Sequence, residues 1–448
     1  MNTTEATIKG MNLVHVDFDK KCGKIKPMHA VNNGPTFPYD FYGQYQKMTD
    51  AAVPYARLHD TGGAFGGARY VDVANVFPNF DADETDPSSY DFAFTDVFLQ
   101  ELVKYGMKPF YRLGCTIENY HKIKAYNIYP PKDPHKWARI CEHIIRHYNE
   151  GWADGFYMDI EHWEIWNEPD NEPDPLDSPM WRGTKEEFFT LYEISYRHLK
   201  QCFPHLKIGG YASCGFYALT NSDFSSAAKS SPRKEYFLEF FDAFLEYTEN
   251  HGCGMDFFSW HSYADVERNI YYAKYAREKL DAHGFKDCEV YLNEWNPGYR
   301  NRGQLRDAAD VLAMMCAMHG TPTDMLMYYD AAERSGYCGI FNPVNHTVFP
   351  TYYAFYAFGK LYKMGEEVAC HVIGKGLFAL AACGDKYNGL ILVNDTEEEM
   401  AVTLELTGCA LLSSRVYAVD GEHVWEQVPV EEQMVLPPFG IRYLEWEL

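Results

Sequence analysis

Short apolar runs alternate along the chain with longer stretches in which apolar residues recur every three or four positions. Eight of the short runs read as strands, at residues 28–32, 55–59, 108–113, 163–167, 207–211, 257–261, 290–293 and 325–329. Between them the helical periodicity predicts amphipathic helices over 91–105, 134–149, 185–202, 234–251, 269–283 and 305–319. Strands alternating with helices imply βα units on a parallel sheet. Eight such units predict an α/β fold of the closed (β/α)8, or TIM, barrel type. After about residue 362 the texture changes. Residues 367–383, 389–393, 401–407, 414–419 and 440–445 read as strands separated by turn residues, with no helix between them. They predict a small appended antiparallel β-sandwich. The alternating segments at 7–9 and 13–16 predict a strand that joins it. The expected organisation is a barrel over 25–362, with 1–24 and 363–448 forming the accessory domain.

In such a barrel the reactive side chains sit at the C-terminal strand ends. Here those ends finish in groups that are awkward in a core: Arg57-Leu58-His59-Asp60, Trp166-Asn167-Glu168-Pro169, Trp260-His261-Ser262-Tyr263 and Asn293-Glu294-Trp295-Asn296. Period-2 geometry puts Glu164, Trp166 and Glu168 on one side of their strand, and Ile165 with Asn167 on the other. Twist near the strand end then brings Asn167 and Glu168 together to the rim, and Pro169 stops the strand. A second strand ends in the same way, in Asn293-Glu294 with Pro297 as the stop. Two carboxyls on strand ends of one barrel meet the requirement of glycoside hydrolysis, in which one protonates the leaving oxygen and the other attacks the anomeric carbon or activates water. A lone strand-end Glu is ordinarily a rim salt bridge; two matching Asn-Glu ends in one chain are not ordinary. His261 and Tyr263 share a side of their strand, and a Tyr263 hydroxyl near Glu294 would hold that carboxylate ionised and oriented. Arg57 reads as an ion-pair partner that supports a carboxylate. The glycines at 62, 63, 66 and 67 lack a phosphate-loop pattern and read as an active-site loop.

Composition narrows the substrate. The formal charge of −24 disfavours nucleic-acid backbones and anionic membranes. The 16% aromatic share supplies faces suited to the apolar sides of sugar rings, although most aromatics fill cores. Twelve scattered cysteines without a Cys-x-x-Cys pair give neither metal-ligand spacing nor a disulfide framework. No stretch at the N-terminus resembles a secretory signal, and no apolar run is long enough for a membrane span. These features point to a cytoplasmic setting with reduced thiols, to short glycosides or oligosaccharides as the molecules met there, and to no metal and no organic cofactor. Homo-oligomerisation stays open.

Taken together, these residues resemble glycoside hydrolase family 39, the β-xylosidase and α-L-iduronidase family, from about Met28 to Lys363. The resemblance implies a retaining exo-glycosidase, with Glu168 as acid/base and Glu294 as nucleophile. It implies that Asn167 bonds the sugar 2-hydroxyl, that Tyr299 matches an aromatic following the nucleophile, and that His261 with Tyr263 matches the sixth-strand pair. Arg57 and His59 match the second-strand Arg-x-His. Two departures lie where the sugar would sit. The eighth strand, Met327-Tyr328-Tyr329-Asp330, lacks the usual Trp, for which Tyr329 substitutes, with Glu333 following; the second strand continues as Asp60-Thr61-Gly62-Gly63. β-Xylosides are the first expectation. Other sugars, including β-glucosides, β-galactosides, α-arabinosides and uronides, are the alternative, the last because Arg300, Arg302 or Arg306 could pair with a sugar carboxylate. A carbohydrate-binding barrel without catalysis is the competing class, and a scaffold has least support.

Overall fold

The computed structural model describes residues 12–35, 40–61, 70–117, 126–220, 231–431 and 433–448. After β1 (Asn12–Lys24), the strands β2 (Ala30–Asn32), β3 (Tyr55–Leu58), β4 (Lys108–Leu113), β5 (His162–Ile165), β6 (Lys207–Ser213), β7 (Phe257–Ser262), β8 (Glu289–Trp295) and β9 (Met325–Tyr328) close into a parallel barrel in sequence order, β9 pairing back onto β2. All eight expected strands are present. The helices Ala93–Lys104, Pro134–Glu150, Lys185–Cys202, Ser231–Asn250, Val266–Ala282 and Leu305–His319 occupy the predicted intervals. Their starts follow local chemistry. Asp133 accepts backbone bonds from His135 and Lys136 ahead of Pro134, and Thr184 with Glu187 forms a capping box.

Period-2 alternation fills the barrel interior in layers. The lower layer is apolar and aromatic: Ala30, Phe110, Phe257, Tyr291, Met325 and Met327 form one buried cluster. Two residues further along several of these strands the interior turns polar, with Asn32, Arg57, Glu164, Ser259 and Asn293 all fully buried. The apolar layer closes the bottom, and the polar layer is the floor on which the site stands.

A helix not anticipated from the pattern, Pro350–Met364, precedes the C-terminal strands. It has Pro at its first turn and Gly365 after its end, but its near-continuous apolar run masks the 3.6 period. It underlies the second sheet so closely that a Cβ on Gly389 would lie 2.7 Å from Leu361. That sheet has nine strands: β1 with β10 (Glu366–Ile373), β11 (Leu377–Cys383), β12 (Tyr387–Asn394), β13 (Met400–Thr407), β14 (Arg415–Val419), β15 (Val424–Val428), β16 (Met434–Leu436) and β17 (Ile441–Glu447), in the order β15-β14-β17-β12-β11-β10-β1-β13-β16. The expected single strand at 367–383 is a hairpin, turned at Gly374 and Gly376, whose φ values of 148° and 71° suit glycine. The sheet is mixed rather than purely antiparallel, because β1 runs parallel to β13. Val416 of β14 and Leu436 of β16 share one buried cluster although six strands separate them in the order. At about 4.8 Å per strand spacing that requires the sheet to curl over itself. The outer side of the curl packs on the barrel: Ile391 and Val393 belong to the barrel's core cluster, whereas Leu390 and Leu392 belong to the sheet's own. Among the described residues no helix is long and apolar enough to cross a membrane, and all twelve cysteines are free thiols.

Candidate active site

Arg57, fully buried, organises the floor. Its Nε donates to Glu164 Oε2 at 2.8 Å, Nη1 to Asn32 Oδ1 at 3.0 Å and, at 3.4 Å, to Glu294 Oε2, and Nη2 to Asn167 Oδ1 at 2.5 Å. Glu164 is fully buried as well. Its Oε1 accepts from Ser259 Oγ at 2.6 Å and Asn293 Nδ2 at 2.5 Å. Arg57, Glu164, Asn32, Ser259 and Asn293 come from five different strands, so the network ties the mouth of the barrel together.

The two strand-end glutamates rise from this floor by different devices. After β5 the alternation expected through Trp166 breaks. Trp166 takes φ 72° and Glu168 φ 45°, both left-handed, an arrangement that costs a non-glycine residue about 1 kcal/mol or more. Trp166 therefore turns outward, donating to the Met180 carbonyl and packing edge-on to Trp181. Asn167 and Glu168 both reach the mouth. At β8 the device is a register shift: Trp260 pairs with Leu292 but His261 with Glu294. The extra residue is Asn293, which bonds Glu164 while Glu294 turns to the cleft.

Glu294 Oε1 accepts from the Tyr263 hydroxyl at 2.6 Å. Glu168 Oε1 lies 2.7 Å from His261 Nδ1, and its Oε2 accepts from Asn171 Nδ2 at 2.7 Å. Asn171 is itself held by Arg233, whose Nη2 donates to its side-chain oxygen at 2.6 Å. His261 Nδ1 is also 3.6 Å from Glu294 Oε2. Ligating atoms of Glu168, His261 and Glu294 all lie within 4.8 Å of one another. Burial pulls the His261 imidazolium down, but the charge of Glu294 and the hydrogen bond to Glu168 outweigh it and leave the histidine above its ordinary value. Burial pushes the Glu168 carboxyl up, while the bonds from His261 and Asn171 push it down and prevail. The tyrosine is driven well above its usual range by burial and by Glu294, so it serves as a fixed donor. The Glu168–His261–Glu294 triangle has the residue types of a metal site, but each carboxylate is already taken by hydrogen-bond donors from the chain.

His59 is buried, 3.2 Å from Asp60 through Nε2, and held neutral by burial and the nearby Arg57 and Arg112 charges. The Tyr329 hydroxyl donates to Asp60 Oδ2 at 3.1 Å. Tyr299 lies in a short turn, Tyr299–Asn301, and its side chain is outside the described residues, as is the glycine-rich loop. Glu333 is fully buried and bonds His346, so it presents no surface to the cleft. Arg302 bonds the Ser335 carbonyl, and Arg306 pairs with Glu397.

Several groups escaped the sequence. Glu164 lies four residues before Glu168, and the period-2 alternation gave it a side of the strand but no role. Asn171 and Arg233 join across 62 residues with no local signal. Asp330, after β9, is buried beside Asn33, and burial raises its carboxyl to about 8. Tyr337 continues a row of rings from Tyr263, at 6.0 Å, to Tyr329, at 5.3 Å.

The family model for glycosyl hydrolases family 39 matches residues 71–337, well over half of the chain, and that span carries both glutamates. A curated β-xylosidase from Geobacillus stearothermophilus is 22% identical over 355 residues, 67% of this chain and 65% of that protein, so the likeness spans less than two thirds of that relative's length. Among solved structures, a glucosidase from Croceicoccus marinus matches with TM-score 0.76 at 20% identity over 97% of this chain and 98% of its own. A family 39 β-xylosidase from Caulobacter crescentus matches with TM-score 0.66 at 17% identity over 97% and 100%. At these identities the structural likenesses establish the fold. With the profile match over residues 71–337, which include Glu168, His261, Tyr263 and Glu294, the chain belongs to glycosyl hydrolases family 39.

Proposed function

We propose that the protein hydrolyses short glycosides with net retention at the anomeric carbon, with Glu294 as nucleophile and Glu168 as acid/base. The separation of the two carboxyls carries this reading. One oxygen of each lies within 4.8 Å of the other, which fits the roughly 5–5.5 Å of retaining pairs better than the roughly 6.5–9.5 Å that leaves room for an inverting water. Glu294 attacks the anomeric carbon while Glu168 gives its proton to the departing oxygen. In the second half-reaction water attacks the glycosyl ester and Glu168, now the base, takes its proton. Arg57 and Tyr263 hold Glu294 in line for attack. Arg57 also anchors the Asn167 oxygen, which leaves the amide nitrogen as the donor for a sugar hydroxyl.

Glu168 must carry a proton when the first step begins. Without sugar the bonds from His261 and Asn171 favour its anion, while the charge of Glu294 and the bond to Glu168 favour the protonated form of His261. A sugar that fills the cleft removes water from Glu168, and desolvation pushes a carboxyl toward its neutral form. In this reading substrate binding itself primes the acid.

The β-xyloside is the first choice of substrate, supported by the curated xylosidase relative. Arg302 bonds the Ser335 carbonyl and Arg306 pairs with Glu397, which weighs against these two as partners of a uronide. The barrel over 25–362 is the proposed catalytic unit, and the curled sheet its support. Retention of both glutamates, each hydrogen-bonded in place, favours catalysis over a silent sugar-binding barrel. A panel of aryl β-xyloside, β-glucoside, β-galactoside, α-arabinoside and α-iduronide tests the reading on the wild type and Glu294→Ala. Turnover of one member, lost by orders of magnitude in the variant, supports it. Activity that persists unchanged in Glu294→Ala removes the nucleophile assignment, and failure to cleave any member leaves the binding barrel.

A further inference from the structure

The second and eighth strands end in carboxyls that the proposed chemistry leaves unused. Asp60 stands in the left-handed region, φ 53°, and its side chain keeps 21% of its surface exposed. The Tyr329 hydroxyl fixes one of its oxygens, at 3.1 Å, and the Ile117 amide approaches the other at 3.4 Å. Tyr329 is half-buried and connects through Tyr337 to Tyr263, which holds Glu294. The row of rings thus leads from Glu294 to Asp60 along one wall. Asp330, at the next strand end, adds a second carboxyl, with Oδ2 3.4 Å from Asn33 and Oδ1 buried without a hydrogen-bond partner among the described residues.

The charge balance around this wall is one-sided. Among the described residues three buried guanidiniums lie near the cleft, each with a partner: Arg57 bonds Glu164 at 2.8 Å, Arg112 bonds Asp72 at 2.7 Å, and Arg233 bonds Asn171 at 2.6 Å and approaches Glu172 at 3.2 Å. Among the described residues no guanidinium pairs directly with Asp60 or Asp330, Glu294 has only the 3.4 Å approach of Arg57, and Glu168 and Glu294 share the His261 imidazole. A carboxylate only accepts hydrogen bonds. Once ionised, above about 7, Asp60 takes hydroxyl donors and meets a sugar carboxylate with like charge.

We propose that Asp60, fixed by Tyr329, is a specificity-determining residue that accepts hydrogen bonds from the hydroxyls of an uncharged pyranose in the cleft and turns away the corresponding uronide. This rests on the cleft being the sugar site of the proposed function, but not on turnover. The role sets the substrate class as neutral glycosides and gives a use to the strand end at Asp60.

Non-hydrolysable probes separate this from the catalytic reading. Binding of phenyl 1-thio-β-D-xyloside, phenyl 1-thio-β-D-glucoside and phenyl 1-thio-β-D-glucuronide is measured by titration calorimetry at pH 8, above the value of about 7 to which burial and the Glu294 charge push Asp60. The wild type is expected to bind a neutral thioglycoside at least about tenfold more tightly than the glucuronide, roughly the effect of one lost charge-assisted contact. Asp60→Asn keeps the shape and is expected to bring the two within about threefold. Tyr329→Phe keeps the charge and is expected to weaken neutral binding while preserving the discrimination. A preference that is unchanged in Asp60→Asn, a glucuronide that binds as well as the glucoside, or no binding of any probe to wild type overturns the proposal. Aryl glycosides cleaved by wild type with an Asp60-independent preference leave the glycosidase standing without it. Asp60-dependent probe binding without turnover does the reverse.

Discussion

Arg57→Met removes the one cation of the site floor and leaves Glu164 charged, fully buried and without its guanidinium. Breaking a buried ion pair from one side costs about 3–5 kcal/mol. The bonds of Arg57 to Asn32 and Asn167 belong to the same network and do not add independently. With an unfolding entropy of about 2.1 cal/mol/K per residue, a chain of 448 residues loses about 4 °C in Tm for a 4 kcal/mol loss. Activity falls further, because Asn167 and Glu294 both lose a partner that aims them; a drop of about 10²–10³ in kcat/KM is expected. Arg57→Met/Glu164→Leu then separates the two effects. Replacing both charges with apolar groups is often neutral or stabilising, so the double variant is expected to recover most of the Tm and none of the activity. Calorimetry and aryl-glycoside kinetics on the same preparations decide it. A double variant no more stable than Arg57→Met, or an Arg57→Met enzyme within threefold of wild-type kcat/KM, refutes the assignment of Arg57 as both the electrostatic keystone of the floor and the aiming device for the glutamates.

Glu168→Ala is expected to slow glycosides with poor leaving groups by about 10²–10⁴, the usual share of general acid catalysis, while a dinitrophenyl glycoside, which needs no protonation, keeps its first step; equal losses on both would contradict the acid role. Tyr263→Phe removes a 2.6 Å bond to Glu294, a charged-group contact of about 1.5–3 kcal/mol, and is expected to lower kcat by roughly 10–100-fold with a smaller change in KM; an unchanged kcat would show the bond to be incidental. Asp330 carries the opposite linkage from a salt-bridged acid. Its folded value, about 8, lies above the unfolded one, so its favourable contribution is complete at acid pH and is lost as the pH rises toward 8. Asp330→Asn is therefore expected to gain stability over wild type at pH 8 relative to pH 5, by at least about 1 kcal/mol, one pKa unit's equivalent; a Tm difference independent of pH contradicts it.

The alternation of apolar runs was enough to place all eight barrel strands, because parallel strands buried on both faces leave continuous hydrophobic signatures. It was also enough to bring Glu168 and Glu294 to strand ends, since Asn-Glu before a proline marks where a buried strand meets the mouth. The way each glutamate gets there was less legible. The outward turn of Trp166 and the extra residue Asn293 in β8 are departures from regular alternation, which no local period encodes. The helix Pro350–Met364 was hidden by being apolar nearly all round, as befits a segment buried between barrel and sheet. The parallel pairing of β1 with β13 joins residues nearly four hundred positions apart, and strand order of that kind is not carried by alternation.

The most direct test of the nucleophile is to trap it. Incubation with 2,4-dinitrophenyl 2-deoxy-2-fluoro-β-xyloside, and with the glucosyl counterpart, slows both half-reactions but speeds departure of the aglycone, so the glycosyl ester accumulates. Intact-mass spectrometry followed by peptide mapping is expected to show one fluoroglycosyl unit per chain, on Glu294. A label on any other residue, or cleavage of an unfluorinated glycoside whose first product has the inverted anomeric configuration by proton NMR, contradicts the double-displacement assignment.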